Sequence, residues 1–159
     1  MRKLINALVF VGIILTTTSS FSYNSDPKIF INELVNEAIK TLSDKNVSIA
    51  DKNKKIEIIA LENVDIDALG MYTLGSIRKT LDQSTLERYK VLFEKYFLKS
   101  LTSRLTDYSS QKFEVVSAEQ KSETYTIVNS KIVESSSQPE IKIDWRVYTK
   151  NPDKPLIRD

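Results

Sequence analysis

The feature that most constrains the fold is a change in the spacing of apolar residues along the chain. From Asp26 to about Tyr108 apolar residues recur at three- and four-residue steps, whereas from Lys112 onward they alternate with other residues. The first spacing predicts helices, and the second predicts strands that bury one face. We therefore expect an α+β fold in which N-terminal helices, one of them long and rich in aromatic residues, pack on a curved antiparallel sheet.

Residues 1–22 have the composition of a removable secretory signal peptide. Arg2 and Lys3 precede an apolar run, and small polar residues follow it as far as Ser22. The run is about half of the roughly 20 apolar residues that a membrane-spanning helix needs. We expect export, cleavage near Ser22, and a single domain over residues 23–159.

The composition excludes several kinds of chemistry. The chain contains no Cys and no His, so disulfides, lipidation of a Cys, Ser-His-Asp triads and His-ligated metal sites are all excluded. Arg2 and Lys3 account for the formal net charge of +2, so the exported chain has no excess of positive charge for a nucleic acid. We expect no cofactor, no metal and no nucleic-acid partner.

Four helices are predicted from their start signals. These are, in order, Asp26 before Pro27, Ser48 with Asp51 three residues on, Asp65, and Ser84 with Glu87 three residues on. We expect the third helix to end at Gly75, with one more turn over Ser76–Thr80. The fourth should run to Tyr108 and be about 36 Å long.

Strand alternation is clear in three stretches, which begin at Phe113, Tyr125 and Ile141. The pattern predicts a turn at Lys121-Ser122, a hairpin loop over Ser135–Pro139, and a last short strand within Pro155–Asp159.

The apolar faces of the long helix and of the sheet allow two interpretations. They can fill each other as an ordinary solid core, which the residues alone favour, or they can line a cavity that accepts an acyl chain. A third possibility is an enzyme that uses Asp65 and Asp67. These two residues point to different sides of a helix, and Asp65 is better explained as a helix cap.

Several segments, taken in order, resemble the toluene-tolerance or MlaC-like family of periplasmic phospholipid-binding proteins. They are Val64-Asp65-Ile66-Asp67, Tyr72-Thr73-Leu74-Gly75, Phe93-Glu94-Lys95-Tyr96-Phe97, Arg104-Leu105-Thr106-Asp107-Tyr108 and Ile143-Asp144-Trp145-Arg146-Val147. The resemblance spans roughly residues 28–159. It implies a carrier that shields phospholipid acyl chains and shuttles lipid between an outer-membrane lipoprotein complex and an inner-membrane ABC transporter complex.

The resemblance also favours the cavity over the solid core. The residues predicted to line a lipid-binding cavity are Ile66, Leu69, Leu74, Leu92, Phe93, Tyr96, Phe97, Leu101, Val115, Ile127, Ile143, Trp145 and Val147. The alternatives are an exported α+β enzyme that uses carboxylates and an adaptor domain with a solid core.

The sequence departs from the family pattern in two places. Ser76-Ile77-Arg78-Lys79 stands where relatives commonly carry a basic residue, an aromatic residue and a Trp. The family pattern also continues, beyond the position of Asp159, into a strand and a final helix. We expect a chain that ends at Asp159 to hold lipid less securely than a longer relative.

Overall fold

The computed structural model describes residues 23–105, 111–134, 139–151 and 153–159. Within them, four helices precede a four-stranded antiparallel sheet, so the predicted α+β class is confirmed. The elements are α1 (Pro27–Ser43), α2 (Ile49–Asn63), α3 (Ile66–Thr73), α4 (Gln83–Leu105), β1 (Phe113–Ser122), β2 (Tyr125–Ile132), β3 (Ile141–Tyr148) and β4 (Leu156–Ile157).

Three of the predicted helix starts are confirmed by their capping hydrogen bonds. Asp26 Oδ1 accepts from the backbone N–H groups of Lys28 and Ile29, at 2.9 and 3.0 Å. Ser48 Oγ accepts from the N–H of Asp51 at 3.1 Å, and Asp65 Oδ1 accepts from that of Ala68 at 3.1 Å. Each cap satisfies backbone donors that have no partner within the helix.

The predicted start of α4 is wrong by two residues. The N–H of Thr85 is capped by Asp82 Oδ1 at 2.9 Å, and Ser84 Oγ donates to the same oxygen at 2.5 Å. The Ser84 hydroxyl therefore supports the cap rather than being the cap. Glu87 Oε1 accepts a hydrogen bond from Gln83 Nε2 at 2.8 Å and does not bond to the backbone at the helix start, as a capping box would require.

The end of α3 follows the prediction. Gly75 adopts a φ of +55°, which is the left-handed conformation that glycine tolerates best. A single 3₁₀ turn over Gly75–Lys79 then leads toward α4.

The sheet is a meander in the order β1-β2-β3-β4, and α1 packs across it. Phe30, Ile31 and Leu34 of α1 form one buried cluster with Val128, Val147 and Ile157 of the strands. Burial of a large apolar side chain contributes about 1.5–3 kcal/mol, so this cluster holds the helix layer on the sheet.

The prediction that Ile127 of β2 faces the interior is wrong. Val128 pairs with Trp145 and Thr126 pairs with Val147, so these residues share the inner face, whereas Ile127 pairs with Arg146 on the outer face. Thr126, Val128 and Ser130 are buried. Two of these three side chains are polar, which is why the alternation of residue types pointed to the wrong face.

The hairpin between β1 and β2 turns two residues later than predicted. β1 continues through Ser122, and the turn consists of Glu123 and Thr124. A register shift between Gln120 and Ser122 adds one residue to β1 and moves the turn along the chain.

Three predictions lie partly or wholly outside the described residues. These are the signal peptide over residues 1–22, the part of α4 beyond Leu105, and most of the loop over residues 135–139. Among the residues that are described, no helix has the length and apolar character needed to cross a membrane.

Candidate functional site

An apolar cavity of about 510 Å³ lies between the helices and the inner face of the sheet. Its volume is within the range of about 300–1,000 Å³ that is usual for small-molecule sites. All of its lining residues are apolar except Gln111, Asp144 and Asp159. The lining consists of Leu34, Val35, Ala38, Ile39, Leu42, Ile56, Ile59, Ala60, Val64, Leu69, Phe97, Leu101, Leu105, Gln111, Phe113, Ile132, Ile141, Ile143, Asp144, Trp145, Ile157 and Asp159.

Two helices near the N-terminus supply one wall of the cavity. Leu34, Ala38 and Leu42 of α1 recur every four residues, so they lie on one face of the helix. Ile56 and Ala60 of α2 have the same spacing and line the cavity beside them. This wall is therefore a direct consequence of helical periodicity.

The long helix α4 supplies a second wall through Phe97, Leu101 and Leu105. Phe97 continues a row of stacked rings, because Phe93 lies 6.3 Å from it and Tyr89 lies 5.7 Å from Phe93. Phe97 is thus held in place by Phe93, which does not itself line the cavity.

The sheet supplies the floor of the cavity. Ile141, Ile143 and Trp145 alternate along β3 and face the same side. The Trp145 ring meets Phe113 edge to face, with centroids 6.5 Å apart. Its indole Nε1 donates to Ser130 Oγ at 2.7 Å, so the buried polar end of the ring is satisfied and the rest remains apolar.

Five of the residues predicted to line a cavity do line it. They are Leu69, Phe97, Leu101, Ile143 and Trp145. Contact between these side chains and a lipid stays a prediction.

Four other predicted residues belong to the packed core or to the opposite sheet face. Ile66 and Val147 are buried at 5% and 0% exposure, and Val115 packs against the core cluster. Ile127 lies on the outer face of the sheet. None of the four lines the cavity.

The remaining four predicted residues lie at α3 or on the outside of α4. Phe93 packs beneath Gly70 of α3, where an added Cβ would lie 2.8 Å from its ring. Leu74 is half-buried at the end of α3. Leu92 and Tyr96 are exposed, at 54% and 70%. Their helical spacing matched the motif, but the side of α4 that carries them has no neighbouring element in the described chain.

Sequence reasoning missed the wall made by α1 and α2. Leu34, Val35, Ala38 and Leu42 recur at helical spacing along α1, but none of them was among the residues predicted to line a cavity. A signal was available, because the stripe continues at helical spacing over about two and a half turns, as the side of a helix that faces an apolar interior does.

The two acids considered for catalysis occupy different environments. Asp65 caps α3, accepts from Arg158 Nε at 2.8 Å, and its backbone N–H donates to Ile157 O at 2.8 Å. Asp67 is 62% exposed and lies 3.7 Å from Lys90 Nζ. The groups form no acid pair, and no cluster of acidic residues in the described chain could hold a metal ion.

The first described residues are fastened to α1. The Tyr23 hydroxyl donates to Glu37 Oε2, and the N–H of Asn24 donates to Glu33 Oε2 at 2.9 Å. Burial of the ring, and then the hydrogen bond to the Glu37 carboxylate, raises the pKa of Tyr23 well above its usual range. The segment before α1 is thus part of the packed structure.

A comparison with protein families identifies a match over most of the chain. The family model described as MlaC protein matches residues 32–159, which include all four helices apart from the first turn of α1, and the whole sheet. A search of curated proteins gives no match.

Proposed function

The chain belongs to the MlaC protein family and is therefore a periplasmic protein of phospholipid transport, and we propose that it carries a phospholipid whose acyl chains occupy the cavity. It passes this lipid between an outer-membrane lipoprotein complex and an inner-membrane ABC transporter complex, and so maintains the lipid asymmetry of the outer membrane. The observation that carries the proposal is the apolar cavity of about 510 Å³ between α1, α2, α4 and β3.

The chemistry of the cavity suits an acyl chain. Each methylene that leaves water for an apolar site contributes about 0.8 kcal/mol, and the binding is non-directional. A long hydrocarbon chain therefore needs an apolar wall rather than hydrogen-bond donors. The wall made by Leu34, Ala38, Phe97 and Leu101 is of this kind.

Extraction of lipid from the purified protein tests this proposal. We expect mass spectrometry to find phospholipid in stoichiometric amounts in the wild-type chain. Ala38→Phe fills the cavity from α1 and should reduce the bound lipid several-fold. Ala50→Phe is the matched control, because it makes the same change at an exposed position of α2. Equal lipid content in all three proteins would exclude the cavity as the binding site.

Transfer between complexes needs a separate experiment. We expect the chain loaded with a labelled phospholipid to exchange it with the inner-membrane complex in vesicles, and Ala38→Phe to transfer less in proportion to its lower loading. A loaded chain that exchanges no label with the inner-membrane complex would contradict the shuttling role and leave lipid binding intact.

No specific observation favours the two alternative functions. An enzyme that uses carboxylates would need a pair of acids at one site, whereas Asp65 is engaged by its cap and by Arg158, and Asp67 lies apart from it beside Lys90. An adaptor with a solid core would leave no space between α4 and the sheet.

A further inference from the structure

The helix that lines the cavity with one side carries exposed apolar residues on another. Leu92 and Tyr96 are separated by four residues, so they lie together on the surface of α4, at 54% and 70% exposure. Phe97 and Leu101 of the same helix line the cavity. Apolar residues thus occupy two sides of α4, and packing within the described chain accounts for one of them.

The exposed side is also cationic. Arg88, Lys95 and Lys99 surround Leu92 and Tyr96 at three- and four-residue steps, and all three cations are exposed. We call these five residues the outer face of α4. None of its cations forms an ion pair within the described chain.

The acidic residues of α4 lie away from this face. At 3.6 residues per turn, Glu87 and Glu94 project from nearly the opposite side of the helix to Leu92. Glu87 is moreover engaged by Lys90, at 3.3 Å. The outer face therefore presents positive charge that no carboxylate of the same helix neutralises.

We propose that the outer face of α4 docks on the surface of an anionic phospholipid bilayer. Exposed Lys and Arg attract anionic head groups, each contributing roughly 1 kcal/mol close to a charged membrane surface. Burial of the leucine side chain at the boundary of the acyl chains is favourable because it removes apolar surface from water. Tyrosine favours the interface because its ring is apolar and its hydroxyl is polar.

The proposal extends the function without depending on it. Docking through the outer face would hold α4 against a membrane while the other side of that helix contacts the contents of the cavity. The five residues of the outer face do not line the cavity. Failure of membrane docking would therefore leave lipid carriage untouched, and failure of carriage would leave docking untouched.

Cosedimentation of the full chain with vesicles tests the electrostatic part. We expect binding to vesicles of phosphatidylcholine with about a third phosphatidylglycerol, and weaker binding as salt rises, because added ions screen exposed charges. The triple variant Arg88→Glu, Lys95→Glu, Lys99→Glu should bind at least about tenfold more weakly. The matched control is Lys45→Glu, Lys54→Glu, Lys55→Glu, which reverses three exposed charges in and before α2 that form no ion pair within the described residues.

A second pair of variants tests the apolar part. Leu92→Ser, Tyr96→Ser should weaken vesicle binding several-fold, whereas Ile58→Ser, Leu61→Ser should not. The second pair also removes two large apolar side chains, exposed at 46% and 49%, from an outward helix surface. Thermal unfolding checks that all variants fold.

The outcomes decide the proposal. A loss of binding confined to the α4 variants supports it. Unchanged binding in the α4 variants, or an equal loss in the α2 controls, overturns it. A third outcome would also overturn it. If the α4 variants lost binding to an acidic protein while their binding to vesicles stayed unchanged, the outer face would serve a protein partner.

Discussion

The guanidinium Nε of Arg158 donates to Asp65 Oδ2 at 2.8 Å and joins two residues that are 93 positions apart. The same guanidinium stacks 3.4 Å from the ring centroid of Tyr148. Asp65 in turn caps α3 and donates its backbone N–H to Ile157 O. The start of α3 and the final strand are therefore joined through the backbone and side chain of one residue, Asp65, beside a cavity lined by Ile157 and Leu69.

Replacement of Asp65 should destabilise the fold. Asp65→Ala removes a helix cap, which costs about 1 kcal/mol, and a partly exposed ion pair, which adds about 0.2–1 kcal/mol. We expect a loss of about 1–2 kcal/mol in the free energy of unfolding by urea. Asp67→Ala is the control and should cost less than about 0.5 kcal/mol, because Asp67 is exposed. Equal losses would show that the Asp65 contacts contribute nothing.

The close packing of α3 on α4 predicts a specific steric effect. Gly70→Ala places a Cβ 2.8 Å from Phe93 Cδ1, and overpacking of this kind costs about 1–3 kcal/mol. Alanine regains up to about 1 kcal/mol through its higher helix propensity, so we expect a net loss. In a Phe93→Leu background the ring is gone, and Gly70→Ala should become neutral or stabilising. A similar loss in both backgrounds would contradict the clash.

The position of Trp145 provides a direct optical test of the cavity. Trp145 is the single tryptophan in the chain, and it lines the cavity. We expect phospholipids with brominated acyl chains to quench its fluorescence, because bromine quenches only at close range. The matching lipid without bromine is the control. Loading without quenching would place the acyl chains elsewhere.

The cap of α4 predicts that the stability of the fold depends on pH. The hydroxyl of Ser84, followed by the N–H and the hydroxyl of Thr85, holds the pKa of Asp82 well below its usual value of 3.8. A group with a lowered pKa in the folded state stabilises the fold above its unfolded pKa and loses that contribution as the pH falls. The stability advantage of the wild type over Asp82→Asn should therefore be largest above pH ~4 and shrink below it.

Urea unfolding at a series of pH values measures this difference. Ser84→Ala removes the largest cause of the lowered pKa. In that variant the loss of stability should still begin near the unfolded pKa, but it should be smaller and be complete at a higher pH than in the wild type. A difference between wild type and Asp82→Asn that does not change with pH would contradict the assignment.

Local features of the fold were predictable from the sequence. Asp26, Ser48 and Asp65 each cap a backbone donor within three residues, so residues adjacent in sequence decide where these helices begin. The start of α4 was harder because Asp82, Ser84 and Thr85 all compete for the cap. Three polar side chains within one turn leave the choice to small differences in geometry.

The sequence by itself determined the elements, their order and the family, because periodicity and capping act within a few residues. Tertiary structure decided which side of each element is buried. Ile127 faces outward because Val128 and the hydrogen-bonded Ser130 occupy the inner face of β2. Leu92 and Tyr96 are exposed because α3 packs on another side of α4, against Phe93. Burial depends on residues brought together from distant parts of the chain, and a pattern of residue types does not specify which partners those are.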